Sequence, residues 1–143
     1  MKFSEFYLGQ KFATGTYTFE RDDVLQFSRE FDPQYFHVDA EKTKAIGMFD
    51  SIIASGFHTL SAAWSLFVRL DVYGDDSRVG IGMDEIRWFL PVYPGDSISA
   101  EVEITNLRLT SKGDKGVVEM TFQVSNQRGE RVMQFRTIGL IAA

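Results

Sequence analysis

Apolar and polar residues alternate along the second half of the chain, from Asp76 onward. Residues 97–107 alternate strictly, and residues 118–124 repeat the pattern. A period of two is typical of strands that bury one face and expose the other. The residues predicted to face inward are Ile98, Ala100, Val102 and Ile104 in the first segment and Val118, Met120, Phe122 and Val124 in the second. The glycine in the turn-like segment 126–130 predicts a tight hairpin into a further strand.

A helical pattern with apolar residues on most of its surface runs from about Ala54 to Leu70. Its stripe comprises Phe57, Leu60, Trp64, Phe67 and Val68. A helix that is apolar nearly all the way round belongs in an interior rather than on a surface. The segment would span roughly 25 Å, about the width of a small domain. We therefore predict an α+β fold in which one long helix is enclosed by a curved antiparallel sheet of about five strands.

The first third of the chain predicts shorter elements. Residues 11–19 are rich in Thr, Tyr and Phe, which indicates a first strand. From about Asp22 the spacing becomes helical, with an apolar face formed by Val24, Phe27 and Phe31. Pro33 ends this helix because a proline disfavours helical backbone at the residue before it, and Asp39 can cap a second short helix. No repeat or linker-like tract divides the sequence, so we expect one domain over residues 1–143.

Composition narrows the possible functions. The formal net charge of -5, without a local cluster of lysines and arginines, argues against a nucleic-acid partner. The absence of cysteine and the presence of only two histidines exclude a thiolate nucleophile and disfavour a metal site. No stretch has the apolar length of a membrane span, and the N-terminus lacks the features of a signal peptide. We therefore expect a cytoplasmic protein with no membrane partner.

An acid and a histidine lie five residues apart in the segment FDPQYFHVD, as Asp32 and His37. On a continuous helix these side chains would point in directions about 140° apart. Pro33 prevents a continuous helix, and a loop allows the carboxylate and the imidazole to converge on one water or substrate atom. The pair is therefore a candidate for general acid-base catalysis. The alternative is that Asp32 caps a neighbouring element and His37 is a structural histidine.

A second candidate site is the segment IIASGFHT, where Ser55 and Gly56 begin the long helix. The first N–H groups of a helix lack internal partners and carry its positive dipole end, so they can bind an oxyanion. Gly56 has no Cβ, which would let a thioester carbonyl approach its N–H closely. The alternative is that Ser55 is only an N-cap and Gly56 relieves crowding between helix and sheet. His58, in an apolar helix, is interpreted as a hydrogen-bonded structural histidine.

At these two segments the chain resembles the MaoC-like dehydratases, a family that includes the R-specific enoyl-CoA hydratases. The family signature has an Asp, an Asn-Pro pair, a His five residues after the Asp, and about twenty residues later a Gly that opens a central helix. Asp32 and His37 match the catalytic acid and histidine, and Gly56 matches the oxyanion-hole glycine. The segment DEIRWFLPVYPGD at 84–96 also resembles the family, and the resemblance covers about residues 8–141. It departs at Gln34, where the family usually has Asn, at Pro33, to which the proline is displaced, and at Ser55, which replaces the His that often precedes the glycine.

The resemblance implies a hot-dog fold and the reversible hydration of a trans-2-enoyl-CoA to a 3-hydroxyacyl-CoA. It assigns catalysis to Asp32 and His37 and the binding of the thioester oxygen to Gly56 with Ser55. Coenzyme A would be part of the substrate, and no separate cofactor is implied. It further implies a homodimer, or a higher homo-oligomer, with the acyl-CoA lying along the subunit interface.

Two other functions remain open at this point. The same fold can direct water to the thioester carbon and act as an acyl-CoA thioesterase, although such enzymes commonly carry a carboxylate on or near the central helix. Residues 54–70 contain no acidic residue. A non-catalytic module that binds acyl-CoA or another lipid is the other alternative, because Gln34 and Pro33 depart from the signature.

Overall fold

A computed structural model describes the whole chain, residues 1–143. Six strands and four α-helices follow one another along the chain, with short 3-10 turns at Phe3–Glu5 and Gly74–Asp76. The helices are α1 (Arg21–Phe31), α2 (Tyr35–Val38), α3 (Ala40–Ile46) and α4 (Gly56–Val68). The strands are β1 (Lys11–Ala13), β2 (Tyr17–Thr18), β3 (Ser77–Trp88), β4 (Ser97–Leu109), β5 (Lys115–Asn126) and β6 (Arg131–Ala142).

All strands belong to one antiparallel sheet in the order β1-β4-β5-β6-β3, with β2 also paired to β4. The predicted strand over residues 11–19 is two strands instead of one. Between them the Thr14 hydroxyl accepts a hydrogen bond from the Ala100 N–H at 2.8 Å, where a strand would place a backbone carbonyl. Because a side chain replaces the backbone acceptor here, the hydrogen-bond pattern between the strands is interrupted. The sheet therefore has six strands rather than about five.

The predicted inward faces of the two alternating strands are confirmed. All eight residues of these faces are at most 5% exposed. Phe122 stacks on Phe135 of β6, with ring centroids 4.4 Å apart, and packs edge-on against Phe67 of α4. The hairpin between β5 and β6 is also confirmed, because Gly129 adopts a φ of +74° in its turn. Aliphatic and aromatic side chains therefore form the inner face of the sheet, against which the long helix packs.

Helix α4 packs against this inner face, which covers the helix on one side only. Ala62, Ala63, Leu66 and Phe67 are buried against the sheet, whereas Phe57 and Val68 are more than half exposed. The helix begins two residues later than predicted because Ser55 is its N-cap. The sheet of one chain therefore covers only part of the apolar surface of α4. A long helix packed against one antiparallel sheet is the predicted hot-dog fold, although one chain covers the helix on one side and does not enclose it.

Two of the shorter helices begin and end largely as predicted. Asp39 caps α3 by accepting a hydrogen bond from the Lys42 N–H at 3.0 Å. Helix α1 buries Val24, but Phe31, which was predicted to share its apolar face, is 66% exposed. Phe31 is the last residue of α1 and lies beyond the core, where it contacts only the neighbouring Phe27 ring among the aromatic residues. The helical period predicts which residues share one side of α1, but it does not predict how far the core extends along that side.

His58 is a structural residue, in agreement with the interpretation of the sequence. Its ring stacks on Phe27, and its Nε2 atom lies 3.0 Å from the Tyr17 hydroxyl. Burial lowers the pKa of His58, an effect partly opposed by the nearby Asp23 carboxylate. The neutral imidazole of His58 therefore links the first turns of α4 to β2 and α1.

The lengths and polarity of the helices also bear on membranes. None of the four α-helices is both long and apolar enough to cross a lipid bilayer.

Candidate active site

The loop between α1 and α2 begins where the sequence predicts a break. Asp32 follows the last residue of α1, and its N–H donates to the Ser28 carbonyl at 2.9 Å. Pro33 and Gln34 lie outside any helix, and the chain turns at this point as the Gln34 N–H donates to the Asp32 carbonyl. His37 then lies in the single turn of α2, not in a loop. The change of direction at Pro33 turns the His37 side chain back towards Asp32.

The predicted convergence of Asp32 and His37 is confirmed. The Nε2 atom of His37 lies 3.2 Å from the Oδ2 atom of Asp32. Their side chains are only 5% and 12% exposed, so the contact is shielded from solvent. At this distance one proton can be shared between the ring nitrogen and the carboxylate oxygen. The pair is therefore arranged to hold, accept and release one proton.

The other nitrogen of His37 determines how the ring can act. Nδ1 lies 2.7 Å from the Ile53 carbonyl oxygen, which can only accept a hydrogen bond, so Nδ1 carries a proton. The Ile53 N–H in turn donates to the Phe36 carbonyl at 2.9 Å. This double link fixes the ring orientation and leaves Nε2 as the atom that exchanges a proton with Asp32 or with a bound molecule.

Asp32 receives hydrogen bonds at both carboxylate oxygens. The Gln34 side-chain amide donates to Oδ1 at 2.8 Å, and the Ser55 hydroxyl donates to Oδ2 at 2.7 Å. Burial by itself would raise the pKa of Asp32, but these two donors and the adjacent His37 outweigh it and lower the pKa below its usual value. Asp32 is therefore an anion at neutral pH, oriented by donors on both sides.

Ser55 connects this carboxylate to the start of α4. Its hydroxyl oxygen accepts a hydrogen bond from the Phe57 N–H at 3.2 Å while its proton goes to Asp32. The residue is fully buried. The structure therefore gives Ser55 two partners within the chain, and its single hydroxyl proton is already engaged by the carboxylate. The predicted role of Ser55 in contacting substrate would require competition with Asp32.

Gly56 is the first residue of α4, and its N–H has no hydrogen-bond partner in the chain. Its lack of a side chain is explained by packing. The indole of Trp88, at the end of β3, occupies the space that a Cβ would need, and the indole N–H donates to the Gly56 carbonyl at 3.0 Å. Crowding between helix and sheet is therefore present, while the N–H remains available to an oxyanion.

Asp32, Gln34, His37 and Gly56 line a cavity of about 350 Å³ at the N-terminus of α4, whereas Ser55 lies behind its wall. Asp32 and His37 are the two ionisable side chains of its wall. Most of the remaining wall is apolar and comprises Phe36, Phe49, Ile53, Ala54, Phe57, Trp88, Phe89, Leu90, Pro91, Val92 and Val132. An acid-base pair, a free helix N–H and apolar walls therefore face one space, which suits proton transfer to and from a substrate held by its hydrocarbon part.

Comparison with known proteins identifies the family of the chain. The family described as MaoC like domain matches residues 5–127. The chain belongs to the MaoC-like dehydratase family. A MaoC-like dehydratase from Rhodospirillum rubrum has the same fold, with a TM-score of 0.90 and 26% sequence identity over 99% of this chain and 97% of that one.

Two proteins are similar to this chain in sequence. An uncharacterized protein of Bacillus subtilis, YdeM, is 37% identical over 134 residues, which are 94% of each chain. A segment of 55 residues is 40% identical to mesaconyl-CoA hydratase from Cereibacter sphaeroides. That segment is 38% of this chain and only 16% of the hydratase. The match to a named hydratase is thus local, whereas the match to the family extends over most of the chain.

Two residues of the site escaped the sequence-based prediction. Gln34 was identified only as a departure from the family signature, yet its amide is one of the two side-chain donors that orient Asp32. Trp88 was not assigned to the site at all. Neither contact has a local sequence signal, although Gln34 lies two residues after Asp32, a spacing at which side chains in a turn often meet.

The hydrogen bonds donated to Asp32 lead to a prediction about the pKa of this residue. Replacing Gln34 with Ala removes the hydrogen bond to Oδ1, so burial is less well offset and the pKa of Asp32 should rise. Gln34→Asn keeps an amide and serves as the matched control, with a smaller rise. The pKa is measured by the pH dependence of the carboxyl carbon shift of Asp32 in nuclear magnetic resonance spectra. An unchanged pKa in Gln34→Ala would mean that the amide does not hold the carboxylate in solution.

Proposed function

We propose that this member of the MaoC-like dehydratase family is a hydratase and dehydratase of acyl-CoA thioesters. It would add water reversibly across a trans-2-enoyl-CoA to form a 3-hydroxyacyl-CoA. The observation that carries the proposal is the meeting of three features in one cavity: the Asp32–His37 pair, the free Gly56 N–H and apolar walls. The name of the C. sphaeroides relative, a CoA-thioester hydratase, supports the same class of reaction.

In the hydration direction, the Asp32–His37 pair holds a water molecule and removes one of its protons. The pair can accept this proton because the Asp32 carboxylate is ionised, while the Ile53 carbonyl holds the ring proton of His37 at Nδ1. The oxygen of the water forms a bond to C3 as the C2–C3 double bond breaks. The electron pair moves towards C2 and the thioester oxygen, and an enolate forms.

The enolate charge develops on the thioester oxygen, and the Gly56 N–H is the donor that would receive it. The N-terminal end of α4 adds its positive dipole at the same place. The enolate then takes at C2 the proton held by the Asp32–His37 pair, which restores both residues and completes the addition of water. Ser55 and Gln34 act as positioning residues because they hold the Asp32 carboxylate.

Hydrolysis of the thioester fits the cavity less well. A thioesterase directs water to C1, next to the oxygen that Gly56 would bind. The one carboxylate of the cavity wall belongs to Asp32, and it lies in the loop before α2 rather than on α4. A non-catalytic binding module is less well supported because Gln34, the departure that suggested it, donates to Asp32.

Removal of either half of the acid-base pair should strongly reduce turnover. Asp32→Asn and His37→Ala should each lower kcat for enoyl-CoA hydration by about 10²–10⁴-fold, since each removes a proton-transfer group. Loss of the enoyl absorbance without release of free thiol measures hydration, and a thiol reagent measures hydrolysis in the same samples. Circular dichroism controls for folding, and Asp114→Asn, at an exposed turn outside the cavity, is the matched control.

The two assays separate the possible outcomes. Loss of hydration in both variants, with Asp114→Asn active, supports the proposal. Hydration at the original rate in both Asp32→Asn and His37→Ala would refute it. Thiol release by the unmodified protein that accounts for the whole loss of the enoyl absorbance would favour a thioesterase instead.

We also propose that the functional form is a homodimer joined through β3. Eleven of the twelve residues of this strand are exposed, and it pairs with β6 on one edge only. Val79 and Ile81 of β3, like Phe57 and Val68 of α4, are apolar side chains that are each more than half exposed. A long, open and apolar strand edge is normally covered in a folded protein, and a second copy of the same strand would cover it.

A charge on this edge should weaken the dimer. Ile81→Lys places an ammonium group where the partner strand would pack, so the monomer fraction should rise at micromolar concentration. Leu109→Lys on β4 is the matched control because both side chains are 54% exposed. Sedimentation velocity measures the two states. A monomeric unmodified protein, or equal dissociation in both variants, would contradict an interface through β3.

A further inference from the structure

The indole of Trp88 meets the first turn of α4 from the end of β3. Its N–H donates to the Gly56 carbonyl at 3.0 Å, across 32 positions of the sequence. The same edge of the ring, with atoms Nε1, Cε2 and Cζ2, occupies the space that a Cβ on Gly56 would need. The part of the indole that carries the N–H therefore packs directly against the helix backbone, although Trp88 as a whole is 46% exposed in one chain.

A bulge in β3 gives Trp88 this orientation. Between Asp84 and Arg87 the strand advances three residues while β6 advances two, and Glu85 adopts a φ of +54°. Side chains alternate between the two faces of a strand, so the extra residue reverses the order of the faces. Trp88 consequently pairs with the buried Met133 and points to the side of the sheet that packs against α4.

The Gly56 carbonyl and the Phe57 N–H belong to one peptide group, and that group continues the contact towards the active site. The Phe57 N–H donates to the Ser55 hydroxyl oxygen at 3.2 Å. The Ser55 hydroxyl in turn donates to Oδ2 of Asp32 at 2.7 Å. Three hydrogen bonds therefore run in series from the Trp88 indole to the Asp32 carboxylate.

All three hydrogen bonds of this series point in the same direction, away from the indole. A donor on a carbonyl oxygen polarises the whole peptide group, and a hydroxyl that accepts a hydrogen bond becomes a stronger donor itself. The Phe57 N–H also occupies one lone pair of the Ser55 oxygen, and the hydroxyl proton is directed at Asp32. The final acceptor is an anionic oxygen in contact with His37, so the series strengthens a charge-assisted hydrogen bond at the acid-base pair.

We propose that Trp88 is a positioning residue for the Asp32 carboxylate and acts on it through the Gly56–Phe57 peptide group and Ser55. The indole N–H holds the peptide group, the peptide N–H sets the direction of the Ser55 hydroxyl, and the hydroxyl stabilises the anion. Loss of the indole N–H should therefore weaken the Ser55 donor and raise the pKa of Asp32. The inference rests on the proposed function only for its effect on turnover, in which Asp32 must be ionised to accept a proton from water.

The first experiment follows the series from its Asp32 end by nuclear magnetic resonance at neutral pH. Asp32→Asn removes the charge of the final acceptor, so the Phe57 amide proton and the Trp88 indole proton should both move upfield. In a Ser55→Ala background the through-space effect of the charge remains but the series is broken, so the change at Trp88 should be smaller. The indole proton of Trp64, which packs against two phenylalanine rings, is the internal control and should respond in neither background.

The second experiment removes the donor at the Trp88 end. Benzothienylalanine in place of Trp88 keeps the two-ring shape and carries sulfur where the indole has its N–H. The pKa of Asp32, measured by the pH dependence of its carboxyl carbon shift, should rise, but less than in Ser55→Ala. In the Ser55→Ala background the replacement should add nothing, because the series is already broken. Benzothienylalanine in place of Trp64 is the matched control, and Trp88→Phe, which also lacks the N–H, is used if the first variant does not fold.

Turnover gives a third readout. If the protein hydrates crotonyl-CoA, the acid limb of its kcat/KM profile should shift to higher pH when Trp88 is replaced by benzothienylalanine. A carboxylate with a raised pKa is protonated at a higher pH, so the base is lost earlier as the pH falls. A role of Trp88 confined to packing would instead lower kcat/KM at all pH values and leave the acid limb in place, which would contradict the inference.

The outcomes separate this inference from the proposed function. An unchanged pKa of Asp32 without the indole N–H would overturn the role of Trp88 even if hydration is observed. An Asp32→Asn effect on the Trp88 indole proton that is equal with and without Ser55 would also overturn it. A pKa of Asp32 that rises without the indole N–H, in a protein that shows no hydration, would leave the inference standing and contradict only the proposed reaction. All three hydrogen bonds lie within one chain, so neither result depends on the proposed dimer.

Discussion

The Asp32 carboxylate is the interaction on which the rest of the site depends. It accepts hydrogen bonds from Gln34 and Ser55 and lies against His37, so one partly buried anion joins the end of α1, the turn of α2 and the start of α4. A buried carboxylate is unfavourable unless its oxygens are satisfied. The same three contacts that stabilise the charge therefore bring the acid-base pair to the free N–H of Gly56.

Much of this arrangement could be predicted from the sequence because its causes are local. The period of two in residues 97–107 and 118–124 predicts the buried face of the sheet, and Pro33 predicts the break between Asp32 and His37. The N-cap at Ser55 also follows from residue type and position. These features depend on backbone preferences and on side-chain spacing, both of which can be read along the chain.

The features that could not be predicted depend on contacts between distant residues. Trp88 meets Gly56 across 32 positions, and this contact, rather than substrate approach alone, explains why a glycine begins α4. The exposure of Phe31 and of one side of α4 also escaped the periodic pattern. A pattern identifies which residues are apolar, but only the assembled surface determines whether one chain can cover them. The split of the first strand at Thr14 has the same origin, in a hydroxyl that contacts Ala100.

The central claim is that one cavity holds an acyl thioester between the acid-base pair and the helix N-terminus. A crystal structure of the protein with a 3-hydroxybutyryl-CoA product would test it most directly. The account predicts that the thioester oxygen lies within hydrogen-bond distance of the Gly56 N–H and that the 3-hydroxyl group lies between Asp32 and His37. A product bound with its thioester away from Gly56, or with its hydroxyl group out of reach of both side chains, would contradict the account.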